Sequence, residues 1–255
     1  MGRVVYQSFN ALKQLLEQDG RTITAEAVEY PATEVPEDGG MLDWANFMGS
    51  VDTGAAALGG QYESFVQRCP ATKVVLAGYS QGAMVVHRNL QALAASPNLA
   101  ASLLIADGDR LPADPTINIG SAASVPGAGK GVAQDWPILA HAPAALTPAL
   151  GSKTISVCDR RDAVCDYDED AEESEALMAT AVAIHTSYDA STRSGQAWTS
   201  LLHQLLGLAP TAHHAPGSEL DALAVTSTAA PAGSSSAASP ATMASIAPAV
   251  DAPAP

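Results

Sequence analysis

The chain is poor in cysteine, in cations and in aromatic side chains. Its 255 residues hold three Cys, 12 Lys plus Arg, and Phe, Trp or Tyr at only 5% of positions. Three cysteines cannot build a disulfide framework, and no His/Cys group has zinc-ligand spacing, so no structural metal is expected. Twelve cations against 27 carboxylates, a formal charge of −15, leave no clustered positive surface, which argues against a nucleic-acid partner or an anionic membrane. No uninterrupted apolar run approaches the ~18 residues of a membrane span, so stable insertion is not expected. The aromatics suggest no stacking platform for sugars or bases. The first residues, Met1-Gly2-Arg3-Val4-Val5-Tyr6-Gln7, lack the roughly 7–15-residue apolar stretch of a secretory signal. Tyr6 stands where a myristoylation pattern requires Ser or Thr, so no export or anchoring is expected from these residues.

What is present is a core. At 47% apolar and 15% charged, the chain is long enough for one well-buried domain. Its composition changes after Leu208. From 209 to 255 it is mostly Ala, Pro, Ser, Thr and Gly with no Lys or Arg, too little large apolar surface to offset the entropy of ordering, so a disordered tail is expected there. His213-His214 lies in that tail and reads as solvated. Residues 1–208 are the expected folded domain.

Within that domain apolar runs alternate with amphipathic stretches, the α/β pattern. Val5, Phe9, Leu12 and Leu16 recur at helical spacing and stop at Asp19-Gly20. Thr22–Tyr30 alternates in the strand manner and ends at Pro31. A glycine-weakened helix is expected over Val51–Gln67, then a buried strand at Lys73–Ala77 and a helix at Ala83–Ala94. Further strands are expected at Ser102–Ala106 and Lys153–Val157, and a last helix at Gly195–Leu206.

Between the buried strand and its following helix stands Gly78-Tyr79-Ser80-Gln81-Gly82, a G-x-S-x-G nucleophile elbow. Such a serine must sit on a sharp strand-to-helix turn with its hydroxyl exposed above the sheet, and the glycines permit the close backbone approach. A phosphate loop does not fit, because Lys and Ser/Thr are missing after Gly82. A serine hydroxyl needs a histidine to take its proton and a carboxylate to fix the imidazole tautomer, in the chain order Ser, acid, His. His87 lies about two turns into the following helix, roughly 10 Å along the axis, and reads as a surface or packing residue. His203 reads as half-buried, and His141, in a Pro/Ala-rich loop, stays open. His185, ending the apolar stretch MATAVAIH, is the preferred base. Asp162 is the preferred acid, immediately after a strand between Cys158 and Cys165, with Asp159 and Asp166 as competitors. The run from Asp168 to Glu173 reads as a solvated acidic segment suited to a helix N-terminus.

Cys69-Pro70 leading into TKVVLAGYSQGA, then CDRRDAVC, then His185-Thr186-Ser187-Tyr188, resembles the cutinase family of serine esterases, especially its actinobacterial branch, over roughly Met1 to Leu208. The resemblance implies an α/β-hydrolase-type three-layer αβα sandwich with a short, mainly parallel sheet. It implies Ser80 as nucleophile, Asp162 as orienting acid, His185 as general base, the Gln81 backbone N–H as one oxyanion donor, and a disulfide between Cys158 and Cys165. It implies no cofactor and no metal. The implied substrates are fatty-acyl esters, including cutin-like polyesters and acylglycerols, attacked by a secreted enzyme expected to be a monomer. A phospholipase or thioesterase on the same residues is the nearest alternative, and a non-catalytic, degenerate member is the other.

The resemblance is incomplete at its beginning. Family members start with a signal peptide, a cysteine, a first central strand and a Gly-rich loop whose Ser or Thr is a second oxyanion donor. Met1–Val4 matches only the end of that loop. The chain is therefore expected to be shortened, with Cys69 lacking its partner. The absent strand would lie between Thr22–Tyr30 and the strand ending at Gly78, so a gap is expected in the sheet, each buried unpaired backbone group costing about 1–3 kcal/mol.

Overall fold

The structure, a computed structural model, describes residues 1–36, 41–134, 144–207 and 242–248. Helix α1 (Arg3–Gln18) buries Val4, Val5, Leu12 and Leu16 along one face and stops at Asp19, with Gly20 at φ 70°. That left-handed position after a helix end is one glycine takes without steric penalty. There follow β1 (Arg21–Ala27), α2 (Met41–Arg68), β2 (Lys73–Tyr79), α3 (Gln81–Leu90), β3 (Leu99–Ile105), β4 (Ile117–Ile119), the single turn α4 (Pro148–Gly151), β5 (Thr154–Val157), α5 (Glu175–His185), α6 (Arg193–Leu205) and β6 (Thr242–Pro248). The helical and strand regions expected from periodicity are present with shifted ends. β4 and β6 were not expected as strands.

The sheet runs β1-β6-β2-β3-β5-β4. β2, β3, β5 and β4 pair parallel. The near-continuous apolar sequences of β2 and β3 follow from burial on both faces. Side chains alternate across β2: Val75, Ala77 and Tyr79 join the core under α1 and α6, while Val74 and Leu76 join the core under α2 and α3. This two-sided packing makes three layers. The α1/α6 layer is tied internally by the Trp198 indole N–H, which donates to Ser8 Oγ at 3.0 Å.

The expected gap between β1 and β2 is occupied. β6 lies between them, antiparallel to both, with partners from Arg21↔Pro248 to Ala27↔Thr242 on one side and from Lys73↔Ile246 to Ala77↔Thr242 on the other. This corrects the expectation of a structureless segment from 209 to 255 for these seven residues. The physical reason lies in the backbone: β1 and β2 each present a row of N–H and C=O groups that must find partners. An extended segment satisfies both rows whatever its content of large apolar side chains. Residues 209–241 and 249–255, with His213-His214, lie outside the described residues, as does His141. Among the described residues Cys69 is a free thiol.

Candidate active site

The site is built at the carboxyl ends of β2 and β5. β2 enters the elbow and Ser80 is held at φ 54°, ψ −124°, a backbone conformation that non-glycine residues rarely adopt. Its N–H donates to Ile105 O at 2.9 Å, continuing the ladder to β3. A Cβ on Gly78 would stand 2.1 Å from Gly82 O, so the turn closes only with glycine at position 78. Ser80 thereby ends the strand and starts α3, whose first N–H groups have no carbonyl one turn back to donate to. The Gln81 N–H is in that first turn. The Gln81 side chain is anchored elsewhere, donating from Nε2 to Thr33 O at 3.0 Å.

α5 ends at His185, and the imidazole bridges the other two groups. Its Nε2 lies 2.9 Å from Ser80 Oγ, and its Nδ1 lies 3.0 and 3.1 Å from the two oxygens of Asp162. All three are buried, Asp162 completely. Burial by itself would raise the Asp162 carboxyl. The charge and hydrogen bond of His185, with N–H groups of Cys165 and Val164 donating to Oδ1, outweigh it and hold the group below its usual value. The Cys158–Cys165 disulfide closes the loop that carries Asp162. The competing carboxylates face elsewhere: Asp159 accepts from Ser121 N and Oγ, and Asp166 accepts from the N–H groups of Gly129 and Arg161.

Two tyrosines complete the surroundings. The Tyr79 ring stacks on His185 with centroids 5.2 Å apart, and its hydroxyl donates to His185 O at 2.6 Å. The Tyr188 hydroxyl accepts from Asp159 N at 2.8 Å and is pushed well up by burial. Neither tyrosine was singled out in the sequence, although Tyr79 sits inside the elbow motif itself. Exposed apolar side chains lie in the segments that bear the site: Val35, two residues beyond Thr33, and Leu177 and Val182 on α5.

A second buried polar group lies behind α3. His87 Nδ1 is 2.6 Å from Asp107 Oδ2, and Nε2 is 3.8 Å from Asp114. Burial opposes its protonation, but Asp107, Asp109 and Asp114 together raise the imidazole to about 9. Arg88 pairs with Asp109 and Asp52. Arg110 donates to Ser156, Asn118 and the carbonyls of Ala128 and Gly129. His87, expected as a surface or a packing residue, is buried and paired with Asp107. The available signal was a His-Arg pair inside an apolar helix together with Asp107-Gly108-Asp109-Arg110 directly after a buried strand. Among the described residues, no three His, Cys, Asp or Glu side chains come together as a metal site, and no helix is long and apolar enough to cross a membrane.

A mixed sheet with a parallel half, set between helical layers, with a strained serine at a strand-to-helix elbow and an imidazole and a carboxylate in line behind it, defines an α/β-hydrolase-type protein. The cutinase family profile matches residues 1–205, and the chain belongs to that family. It is 34% identical over 117 residues to a cutinase of Hypocrea jecorina, covering 46% of this chain and 42% of that one. It is 43% identical over 63 residues to acetylxylan esterase 2 of Talaromyces purpureogenus, covering 25% and 26%. With phospholipase Culp4 of Mycobacterium tuberculosis it shares 30% over 165 residues, covering 65% and 60%. The match thus spans less than half the length of the fungal cutinase. The catalytic core domain of an acetyl xylan esterase from Trichoderma reesei superposes with a TM-score of 0.49 at 24% identity, covering 78% of this chain and 89% of that one.

Proposed function

We propose that the chain is a carboxylic-ester hydrolase that cleaves fatty-acyl esters through an acyl-enzyme. The observation that carries this reading is the continuous hydrogen-bonded line from Ser80 Oγ through His185 to buried Asp162. Ser80 Oγ attacks the ester carbonyl and passes its proton to His185 Nε2. Asp162 holds the imidazole with Nδ1 protonated and stabilises the imidazolium. The carbonyl oxygen gathers negative charge near the Gln81 N–H, and a donor of this kind is worth about 100- to 1000-fold in turnover. The intermediate collapses as His185 returns the proton to the departing alcohol. Water, deprotonated by the same imidazole, then releases the acid.

Val35, Leu177 and Val182, exposed on the segments that carry the site, offer apolar surface, which favours an acyl chain over a short polar acyl group. The disulfide favours an oxidising compartment, so the proposed place of action is extracellular. With p-nitrophenyl butyrate, pre-steady-state mixing gives a burst of p-nitrophenol followed by a slower linear phase. Ser80→Ala removes both; turnover by that variant equal to the parent contradicts the reading.

A further inference from the structure

The His185 imidazole has to keep one orientation through a cycle in which one of its two anchors is lost. Its Nε2 lies 2.9 Å from Ser80 Oγ and its Nδ1 3.0 Å from Asp162 Oδ1. Once Ser80 Oγ is bonded to an acyl group it carries no proton to donate, so Nε2 loses that partner. The ring is then held by Asp162 at one edge. A bond at one edge fixes neither the plane nor the tilt of the ring, and proton transfer needs both within about 10–20°.

Tyr79 supplies the missing restraint at two points of the same residue. Its ring lies against the imidazole with centroids 5.2 Å apart and planes at 22°, within the range of favourable ring stacking. Its hydroxyl donates to His185 O at 2.6 Å. α5 ends there, and the carbonyls of a last helical turn lack partners within the helix. Val182 O and Ile184 O accept from the N–H groups of Thr186 and Ser187, and His185 O accepts from Tyr79. Tyr79 is itself fixed. It pairs with Ile105 in the ladder between β2 and β3, and its buried ring stands 6.1 Å from that of Tyr188. Burial, with the charge of Asp162, pushes its hydroxyl above the ordinary phenol value, so it stays protonated and keeps donating. Tyr79 also precedes Ser80 in the chain, so the strand that places the nucleophile also braces the base.

We propose that Tyr79 is a positioning residue for the general base, holding the His185 imidazole in line for the water that cleaves the acyl-enzyme. This role rests on the reading of Ser80, Asp162 and His185 as the hydrolytic residues. It adds a fourth side chain to that machinery, one whose effect falls on deacylation rather than acylation.

Burst kinetics of the full chain with p-nitrophenyl butyrate separate the two steps. In Tyr79→Leu, which removes ring and hydroxyl, the linear phase falls about 100-fold, the scale of a misplacement near 1 Å. The burst rate falls less than about fivefold, so kcat and KM drop together while kcat/KM, which reports acylation, stays within that factor. Tyr79→Phe keeps the ring, and its linear phase falls only about threefold to tenfold, the worth of one hydrogen bond. Where circular dichroism shows Tyr79→Leu unfolded, Tyr79→Phe decides by whether its linear phase slows more than its burst. Both phases slowed by the same factor, or Tyr79→Leu turning over like the parent, overturns the assignment. A parent chain that does not hydrolyse the ester contradicts the esterase reading, and nuclear magnetic resonance with ¹⁵N-histidine still decides on Tyr79. The His185 N–H held by Asp162 gives a resonance sheltered from exchange with water, sharp in the parent and broadened in the Tyr79 variants. A resonance unchanged in those variants overturns the assignment.

Discussion

The sheet has two halves with different origins. β2, β3, β5 and β4 are parallel, and β2 and β5 present the elbow and the acid loop at their carboxyl ends. The β1-β6 flank is antiparallel, and its inner strand comes from the far end of the chain. In the first half β2 is a short apolar run followed directly by its own turn and helix, and β3 and β5 are apolar runs of their own, so the local sequence specifies these three. In the second, β6 exists because β1 and β2 leave facing rows of backbone groups, and no local signal announces it. The difference separates where chemistry is encoded from where the sheet is closed.

The largest expected effect falls in the parallel half and touches only chemistry. Ser80→Ala lowers turnover by about 10⁴–10⁶-fold, as when the nucleophile of such a group is removed. The melting temperature stays within a few degrees, measured by circular dichroism on the same samples.

The flank responds in the opposite way. Ser245 pairs with Thr24 on β1 and Val74 on β2, so Ser245→Pro removes a donor inside a central strand, at about 3 kcal/mol or more. Urea unfolding reads the loss. Hydrogen exchange localises it: amides of β1 lose protection while those of β3 and β5 keep theirs. Uniform loss across the sheet would show that the two halves are one cooperative unit.

Alkaline pH probes the joint between α3 and the loop after β3. His87 is raised to about 9 by Asp107, Asp109 and Asp114 acting against burial, above the ~6.5 of an unfolded chain. Its contribution is therefore fully present below about pH 6.5 and disappears as pH rises through 9, by at most about 3 kcal/mol. Stability measured by urea at pH 6, 8 and 10 falls across that window, and His87→Gln flattens the fall. Smaller again, Cys158→Ser with Cys165→Ser destabilises by about 2 kcal/mol. It also lowers turnover, because Asp162 rides on the loop that the disulfide closes.

Legibility in the sequence follows the same division. The elbow was readable because strand, turn and helix are contiguous from Lys73 to Leu90. α1 was readable because Val5, Leu12 and Leu16 keep helical period. Asp162 and His185 were chosen by position and resemblance, and the structure sets them within hydrogen-bond distance of each other and of Ser80. Two things were not readable. Thr242–Pro248 lies in an Ala/Pro/Ser-rich stretch, and its pairing depends on strands about 170 and 220 residues away, a separation at which local pattern carries no information. The His87–Asp107 pair joins residues 20 apart through a fold that first had to be known.

The most direct test of the central claim is covalent. A fluorophosphonate probe reacts with a serine only when it is activated, so the full chain is labelled, digested and mapped by mass spectrometry. One adduct is expected, on the peptide containing Ser80, lost in Ser80→Ala and strongly slowed in His185→Ala. No adduct on the folded chain, or labelling that persists without Ser80, would contradict it.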